Sequence, residues 1–535
     1  MRRTVDRVDV FAHAGFIGLG AASDLVTVLE PMIHPVLMPH GLFHPKVWFL
    51  EFAAGDERRY RFICSSRNLT NDRTWDAVVT LDGAPASARE AATERANAGM
   101  VRLLRWLATD RRTAPRMTEA RRARVDHLAD AWETVEWERP DDAKRMNVHI
   151  LGVGQDPQIS HDAIKTLIVS PFVTDDGVRR LRARADHETI LVSRPEQLDR
   201  LQPSSFPDLT MQVLDDYVDQ ALADAEVQDT VASSLSGLHA KLLVHDRAGG
   251  GSTMVIGSAN ATIPAWTRNV EAMVELDGPT KRLGVDVIAQ SLAPLLENYE
   301  TDGGQTASED EEAERRLDDV LRRLASSRLS LQIHIDDPFA LSLWVDDDTP
   351  APPADVHLSW RLLTQSEAFD GSFPPADAPR RWGPLPLDQI TPFIVLTVKD
   401  DEGRRAQTLV IAEIINDVPG RGDAIVAGHL TEPGALARFI RLMLQSAGGV
   451  ASSSSTTFAA FATGFGSGIS EDGSGLLELL VRASASSPHV LTDIEGVLAH
   501  LSDEEQAHAL PDGFSHLWAS VVDAVDANRS QPSGR

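Results

Sequence analysis

Two copies of one polar motif constrain this chain more than any other feature of its sequence. Four residues of the first copy recur 195 residues later, so that His44, Lys46, Glu51 and Asp76 become His239, Lys241, Asp246 and Glu271. The asparagines Asn68 and Asn260 are 192 residues apart and follow turns of different length. A chain that repeats a His, a Lys, an Asn and an acid at matched spacing predicts one active site built from two similar halves.

The residues around each His-x-Lys predict how the motif is placed. Apolar residues 47–50 and 242–244 predict strands, and the period of two in a strand puts the His and the Lys on the same face. A turn at residues 53–56 or 247–251 follows, and then second strands at residues 61–64 and 254–256. Each second strand ends where the Ser and the Asn of the motif begin.

These residue types suit the cleavage of a phosphodiester. A histidine can act as nucleophile or as acid because its pKa lies near neutrality. Lysine and asparagine supply donors to the charge that develops at phosphorus. A carboxylate on the far ring nitrogen would fix the imidazole tautomer. We expect catalytic roles for His44, Lys46, Asn68, Asp76, His239, Lys241, Asn260 and Glu271, and supporting roles for Glu51, Ser66, Asp246, Ser258 and Asn269.

The second copy reads H-x-K-x4-D, then G-S-x-N-x8-N-x-E, and it closely resembles the motif of the phospholipase D superfamily. The first copy departs from that motif at Glu51, Ser65, Thr74 and Asp76. The resemblance covers residues 1 to about 300 and favours the nuclease-like branch. It implies a pseudo-dimeric α/β sandwich and a metal-independent transfer through a phosphohistidine, with no cofactor. It also implies that His44 is the nucleophile and His239 the acid and then the base, an assignment that the residues themselves leave open.

The remaining chain predicts five regions. They are a first phospholipase D-like half at 1–145, a second half at 146–300, an acidic linker and helix at 301–328, a β-rich accessory domain at 329–430 and a helical C-terminal region at 431–535. Alternating strands and helices in residues 165–201 favour a mixed sheet in the second half. A helix is predicted from residue 279 to about 300. The strands at residues 329–335, 340–345, 356–362, 393–399 and 408–415 suggest a small β-sandwich. A serine-rich loop containing residues 452–455 divides the C-terminal helices.

Charge argues both for and against a nucleic-acid substrate. The net charge is −28, from 79 acidic and 51 basic residues, whereas phosphate backbones favour basic surfaces. Ten arginines nevertheless lie between residues 89 and 124, on two predicted helices, against four acids. We expect the nucleic acid to contact Arg102, Arg105, Arg121 and Arg122. A solvated helix face is the alternative, and a helicase or methyltransferase partner could instead deliver the DNA.

The cysteine content and the hydropathy of the sequence predict the cellular compartment. The single cysteine, Cys64, excludes internal disulfides and a cysteine-rich zinc site. No run of the sequence is apolar enough for a membrane span, so no membrane insertion and a cytoplasmic location are expected. The fairly apolar residues 10–22 are expected to form a strand leading toward His44 rather than an export signal.

The sequence therefore predicts a phosphodiesterase that hydrolyses nucleic acid, DNA by preference, within a bacterial antiviral defence or repair system. A lipid phosphodiesterase and a non-catalytic scaffold that binds nucleic acid are the two alternatives.

Overall fold

The computed structural model describes the chain in ranges separated by gaps. The described residues are 5–17, 29–38, 40–68, 74–110, 114, 116–154, 163–182, 188–202, 204, 206, 208–215, 237–336, 338–346, 349–366, 368–370, 373, 379–430, 435–447, 476–487, 489–502, 504–506, 510 and 514–529. The chain divides into two compact units. The motif unit is Phe11–Phe16 and His34–Asp319, and the C-terminal unit is Met1–Val10, Ile17–Ile33 and Val320–Arg535. Both copies of the motif lie in the motif unit.

The first motif copy lies in a four-stranded antiparallel sheet. A separate two-stranded sheet of β1 (Val10–His13) and β2 (Ile33–Val36) precedes it in the chain. The four strands, in spatial order, are β3 (Val47–Ala54), β4 (Glu57–Ser65), β5 (Val78–Pro85) and β6 (Val135–Trp137). Alternate residues of β4, Tyr60, Phe62 and Cys64, are buried, as a strand with one face in a core requires.

Two helices connect β5 to β6, as predicted for the segment that carries the ten arginines. In α1 (Ala91–Thr109) the buried Met100, Leu103, Leu104 and Leu107 recur at helical spacing. In α2 (Glu119–Trp132) the side chain of Thr118 accepts a hydrogen bond from the backbone of Arg121 and caps the first turn.

The second motif copy lies in a mixed eight-stranded sheet, which confirms the predicted α/β class. Its strands are β7 (Arg145–Leu151), β8 (Ala163–Val169), β9 (Glu188–Val192), β10 (Leu209–Leu214), β11 (Leu242–Arg247), β12 (Ser252–Gly257), β13 (Glu271–Gly278) and β14 (Leu296–Asn298). The spatial order is β14-β10-β9-β8-β11-β12-β13-β7, with β8, β9 and β10 parallel and the other neighbours antiparallel.

Short helices flank this second sheet. They are α3 (Asp175–Arg182), α4 (Pro195–Leu198), α5 (Ile263–Thr267), α6 (Thr280–Leu283) and α7 (Val285–Leu292). The Thr174 hydroxyl accepts from the backbone of Gly177 at 3.3 Å and caps the first turn of α3. The helix predicted up to about residue 300 is wrong at its end, because residues 296–298 form β14 and pair with β10.

One apolar core extends from the first sheet to the second. It includes Phe62 of β4, Trp132 of α2, Val244 of β11 and Val274 of β13, all of which are inaccessible to solvent. This shared core fixes the relative placement of the two motif copies.

The C-terminal unit contains the β-rich region that the sequence predicted. Helix α8 (Glu309–Ala325) leads into it. Its strands are β15 (Leu329–His334), β16 (Phe339–Val345), β17 (Val356–Leu362), β18 (Phe369–Asp370), β19 (Arg380–Leu385), β20 (Phe393–Asp400), β21 (Arg405–Ile411) and β22 (Glu413–Ile415). They form two four-stranded sheets, β19-β16-β15-β22 and β18-β17-β20-β21. The strand predicted at residues 408–415 is therefore two strands that belong to different sheets.

Helices complete the C-terminal unit. They are α9 (Arg421–Gly428), α10 (Ala435–Ala447), α11 (Leu476–Ser486), α12 (His489–Leu498) and α13 (Phe514–Arg529). Their apolar side chains form one cluster, with Leu436, Ile440 and Leu480 fully buried. The serine-rich loop predicted at residues 452–455 lies outside the described residues.

Candidate active site

Backbone pairing joins the histidine segment of each motif copy to the acid segment of the other copy. The amide of His44 donates to the carbonyl of Val270 at 2.9 Å, and the amide of His239 donates to the carbonyl of Trp75 at 3.0 Å. Short parallel bridges, Phe43 with Val270 and Trp75 with Leu238, carry these contacts. The two bridges occupy equivalent positions of the repeat. The fold therefore sets each histidine beside the carboxylate of the opposite half.

His44 is held tightly by Glu271. Its Nδ1 lies 3.0 and 2.9 Å from the two carboxylate oxygens, and Glu271 is fully buried. Ser258 donates its hydroxyl to the same carboxylate, and Asn269 donates its amide at 3.1 Å. Because a carboxylate accepts, Nδ1 of His44 carries the proton. The other ring nitrogen, Nε2, is left as an acceptor and receives a hydrogen bond from Lys46.

His239 has the equivalent partner at a longer distance. Its Nδ1 lies 3.5 Å from the Asp76 carboxylate. Asp76 accepts from the hydroxyls of Ser66 at 3.3 Å and Thr74 at 3.4 Å, and pairs with Arg67 at 3.2 Å. Ser66 and Thr74 thus hold Asp76 from the positions that correspond to Ser258 and Asn269.

Two buried lysines lie beside the histidines. Lys241 donates to the backbone oxygens of His239 and Ser66, both at 3.0 Å, and so links the two halves. Burial, helped by the charge of Lys46, lowers the pKa of Lys241 to about 7. Burial also lowers the pKa of Lys46 to about 8, against the charge of Glu271. An anion that enters the site would therefore stabilise the charged form of both lysines.

The pKa of His44 is also lowered, first by burial and then by the charges of Lys46 and Lys241, while Glu271 opposes the shift. A lowered pKa keeps the ring neutral near pH 7 and leaves the Nε2 lone pair available.

The two motif asparagines differ in environment. Asn68 is exposed, whereas Asn260 is half-buried. Oδ1 of Asn260 is buried and receives no hydrogen bond in the described part of the chain. Its backbone oxygen accepts from the indole of Trp266 at 2.9 Å, which fixes the position of the residue.

The two acids that follow the motif lysines by five residues contribute to the fold in different ways. Asp246 is buried and accepts from Ser252 and from the backbone of Val285, at the start of α7. Glu51 is exposed and pairs with Arg58 at 3.4 Å. The departure of the first copy from the motif at this position accompanies a change from a buried anchor to a surface ion pair.

Two arginines near the site were not singled out from the sequence. Arg67 lies between the motif residues Ser66 and Asn68, so its position in the sequence indicated that it is near the site. Arg194 gave no local signal, because its guanidinium reaches 44 residues along the chain to bind the carbonyl of Leu238 at 3.1 and 3.0 Å.

The four arginines predicted to contact nucleic acid are placed very differently. Arg121 and Arg122 are buried, and Arg122 donates to the carbonyls of Met117, Ala108 and Ala114. Arg121 and Arg122 therefore do not belong to the predicted nucleic-acid surface. The sequence of a helix does not reveal which of its arginines face the core of the protein. Arg105 is exposed but pairs with Asp130 and Glu133.

Arg102 is exposed and lies beside the loop that follows β7. A Cβ on Gly154 of this loop would lie 3.2 Å from Nε of Arg102, and a Cβ on Gly152 would meet the carbonyl of Asn269. Arg102 and the backbone of Asn269 therefore both lie against this loop.

Within the described ranges, no group of three or more His, Cys, Asp or Glu side chains is arranged to hold a metal ion. None of the helices in those ranges is both long and apolar enough to cross a membrane.

Comparison with solved structures finds a crystal structure of phosphatidylserine synthase from Haemophilus influenzae Rd KW20. It has 11% identity and a TM-score of 0.32, with 56% of this chain and 77% of that chain covered. NucT from Helicobacter pylori has 14% identity and a TM-score of 0.20, with 29% of this chain and 99% of that chain covered. No family model and no curated protein matches the chain.

Proposed function

We propose that the motif unit hydrolyses phosphodiester bonds of nucleic acid through a phosphohistidine, the chemistry implied by the resemblance to the phospholipase D superfamily. The crossed pairing of His44 with Glu271 and of His239 with Asp76 is the observation that carries this proposal. In this pairing each histidine ring has a carboxylate beside its Nδ1 and a buried lysine nearby, which supports a shared role in acid–base and nucleophilic chemistry. A scaffold that only binds nucleic acid does not need this arrangement.

In the first step Nε2 of His44 attacks phosphorus and forms the phosphorus–nitrogen bond. The bond from phosphorus to the leaving oxygen breaks, and protonated His239 gives that oxygen its proton. His44 suits the role of nucleophile because two carboxylate oxygens hold its Nδ1 proton and leave Nε2 with the lone pair.

In the second step water attacks the phosphohistidine, and His239, now neutral, takes a proton from the water. The phosphorus–nitrogen bond breaks, its electron pair returns to Nε2 of His44, and the second product leaves with the new oxygen. Lys46 and Lys241 stabilise the extra negative charge on the non-bridging oxygens in both steps. Their burial strengthens that interaction because little water screens it.

Nucleic acid, with DNA favoured, is the proposed substrate class. Positive charge is offered by Arg102, which is exposed beside the loop that follows β7, and by Arg67 within the first motif copy, where it pairs with Asp76. The net charge of −28 opposes binding of a polyanion. We therefore propose a protein partner, such as a helicase or methyltransferase, that brings DNA to the site, as in a bacterial defence or repair system.

The test is cleavage of labelled single-stranded and duplex DNA in excess EDTA by the wild type, His44→Ala and His239→Ala. We expect chelator-resistant cleavage by the wild type and a loss of at least about 100-fold in each variant. His149→Ala is a matched control, because His149 also pairs with a carboxylate, Glu275, at 3.2 Å in the second sheet. It should retain activity.

Cleavage that EDTA abolishes would contradict the phosphohistidine mechanism. Equal cleavage by the wild type and both variants would point to a contaminant or to a site elsewhere. If DNA is left intact while phosphatidylcholine vesicles are cleaved in a His44-dependent manner, the chemistry stands and the lipid alternative replaces nucleic acid.

A further inference from the structure

We propose that Phe172, backed by Arg194, is a platform on which an unpaired base of the substrate strand stacks beside His239. This inference rests on the proposed function and specifies its substrate further, as a strand that is single at this point.

Phe172 is fixed next to the second motif copy by its backbone. It lies three residues beyond the end of β8, and its carbonyl accepts from the hydroxyl of Ser170 at 2.8 Å. The same hydroxyl accepts from the amide of Ala261 at 3.0 Å, and Val173 forms a bridge with Ala261. Since Ala261 directly follows the motif residue Asn260, the ring is attached to the segment that carries this asparagine.

Arg194 links the same ring to the histidine segment. Its guanidinium carbon lies 5.1 Å from the centroid of Phe172, within the range of a cation–π contact. Nε and Nη2 of this guanidinium donate to the carbonyl of Leu238, the residue before His239. Phe172 is therefore connected to the segments of both His239 and Asn260 through direct contacts.

The exposure of Phe172 gives the site its ligand chemistry. The residue is 40% exposed even though the guanidinium lies over its ring. An exposed aromatic ring beside a cation is the arrangement on which nucleic-acid bases stack, and any of the bases has a suitable face. A base inside a duplex already stacks on its neighbours, so this platform favours a single strand.

The charge pattern supports the same ligand. The positive charge of Arg194 helps to lower the pKa of Lys241. A backbone phosphate that binds the lysine would therefore also be attracted to this guanidinium. Base and phosphate of one nucleotide would then meet an aromatic ring and a cation placed side by side.

The experiment compares two single strands, one with normal bases and one with stable abasic residues around the scissile bond. Cleavage and binding, by fluorescence anisotropy, are measured for the wild type, Phe172→Ala, Phe172→Leu and Phe172→Trp. We expect the wild type to bind the normal strand about tenfold more tightly than the abasic strand. Phe172→Ala and Phe172→Leu should lose this preference, while Phe172→Trp should keep it. Leucine separates stacking from simple apolar packing.

Phe52→Ala is the matched control, because Phe52 is another exposed phenylalanine, at 51%, and lies on β3 of the same unit. It should bind both strands as the wild type does. An unchanged preference in Phe172→Ala and Phe172→Leu would overturn the platform while the proposed hydrolysis stands. Binding that depends on Phe172 without any cleavage would leave the platform standing and would contradict hydrolysis by this chain in the absence of its proposed partner.

Discussion

The two histidines differ in how closely a carboxylate holds them, although the repeat makes them equivalent in sequence. Both oxygens of Glu271 lie within 3.0 Å of His44, whereas the nearest contact of Asp76 with His239 is 3.5 Å. Glu271 is also fully buried, so its charge is poorly screened. A nucleophile that must keep one tautomer, and whose ring gains positive charge when Nε2 bonds to phosphorus, benefits most from such a partner, and this agrees with His44 as the proposed nucleophile.

Replacement of Glu271 by glutamine tests this difference. Glu271 raises the pKa of His44 against the effect of burial, so its neutral replacement lets burial lower that pKa further. We expect kcat/KM on single-stranded DNA to fall by about 100-fold because the tautomer is no longer fixed. We also expect the acid limb of the pH profile to move to lower pH. Glu275→Gln removes the carboxylate beside His149 and should leave the profile unchanged. An acid limb that stays in place in Glu271→Gln would show that this limb does not report His44.

The buried lysines predict how anion binding depends on pH. Each lysine is charged below its pKa and neutral above it, and these pKa values are about 7 for Lys241 and about 8 for Lys46. Competitive inhibition by sulfate, whose own charge is constant, should therefore weaken by about tenfold between pH 7 and pH 9.5.

The control for this pH dependence is Lys165, which pairs with Glu188 and Asp286 and has a raised pKa. Lys165→Gln should retain the full dependence on pH, and Lys241→Gln should lose part of it. An inhibition constant that is flat with pH in the wild type would contradict the lowered lysine pKa values.

The sequence predicted which residue types gather in the site but not how they pair. The spacing of 195 residues was sufficient to place His44, Lys46, His239 and Lys241 in equivalent positions. It could not reveal that Glu271 serves His44, because that pairing depends on the bridge between Phe43 and Val270. Long-range contacts of this kind leave no local pattern in a single sequence.

At the scale of elements, the loop before β3 depends on a close backbone approach. Gly41 has a φ of +72°, and a Cβ at this position would lie 2.2 Å from the carbonyl oxygen of Arg268. Only glycine accommodates both features without strain. The loop leads directly to His44, while Arg268 precedes the acid segment of the other half. This contact therefore helps to hold the two halves in register.

Gly41→Ala should displace the loop that leads to His44. We expect kcat to fall by about tenfold or more and the free energy of unfolding to fall by about 1–3 kcal/mol. Gly55→Ala is the matched control, since Gly55 also has a positive φ, +60°, but no atom lies within 4 Å of its Cβ position. It should lose about 1 kcal/mol from backbone strain alone and keep its kcat. Denaturant unfolding and steady-state kinetics measure the two effects, and equal kcat losses in both variants would contradict the proposed contact.

The elements themselves were predictable where the apolar period is strong, and less so where tertiary pairing decides. Strand β8 and helix α1 follow their patterns closely. Strand β14 is three residues long and exists because Leu214 of β10 pairs with Leu296. Arg421 illustrates the same limit, because its buried guanidinium pairs with Asp417 nearby and with Glu30, 391 residues away.

For the whole molecule, a net charge of −28 must be reconciled with a polyanionic substrate. Charges more than about 10 Å from the site are largely screened at 0.1 M salt, so a few cations near the histidines can decide binding. The side chains with this role in the proposed complex are Lys46, Lys241, Arg67, Arg102 and Arg194. So small a set predicts a weak dependence of DNA binding on salt compared with proteins that contact many phosphates.

Two arginines on one helix allow this prediction to be tested. Arg102 and Arg105 both lie on α1 and are both exposed, but Arg105 is neutralised by Asp130 and Glu133. Each phosphate contact on a single strand contributes about 0.7 to the slope of log K against log salt. Arg102→Gln should therefore lower the slope by about 0.7 and weaken binding of all sequences equally, whereas Arg105→Gln should leave the slope unchanged. Anisotropy titrations of single-stranded DNA between 50 and about 300 mM NaCl measure both slopes. If Arg105→Gln lowered the slope and Arg102→Gln did not, the nucleic acid would contact α1 at Arg105, about one turn further along the same face of the helix, and the proposed contact with Arg102 would be wrong.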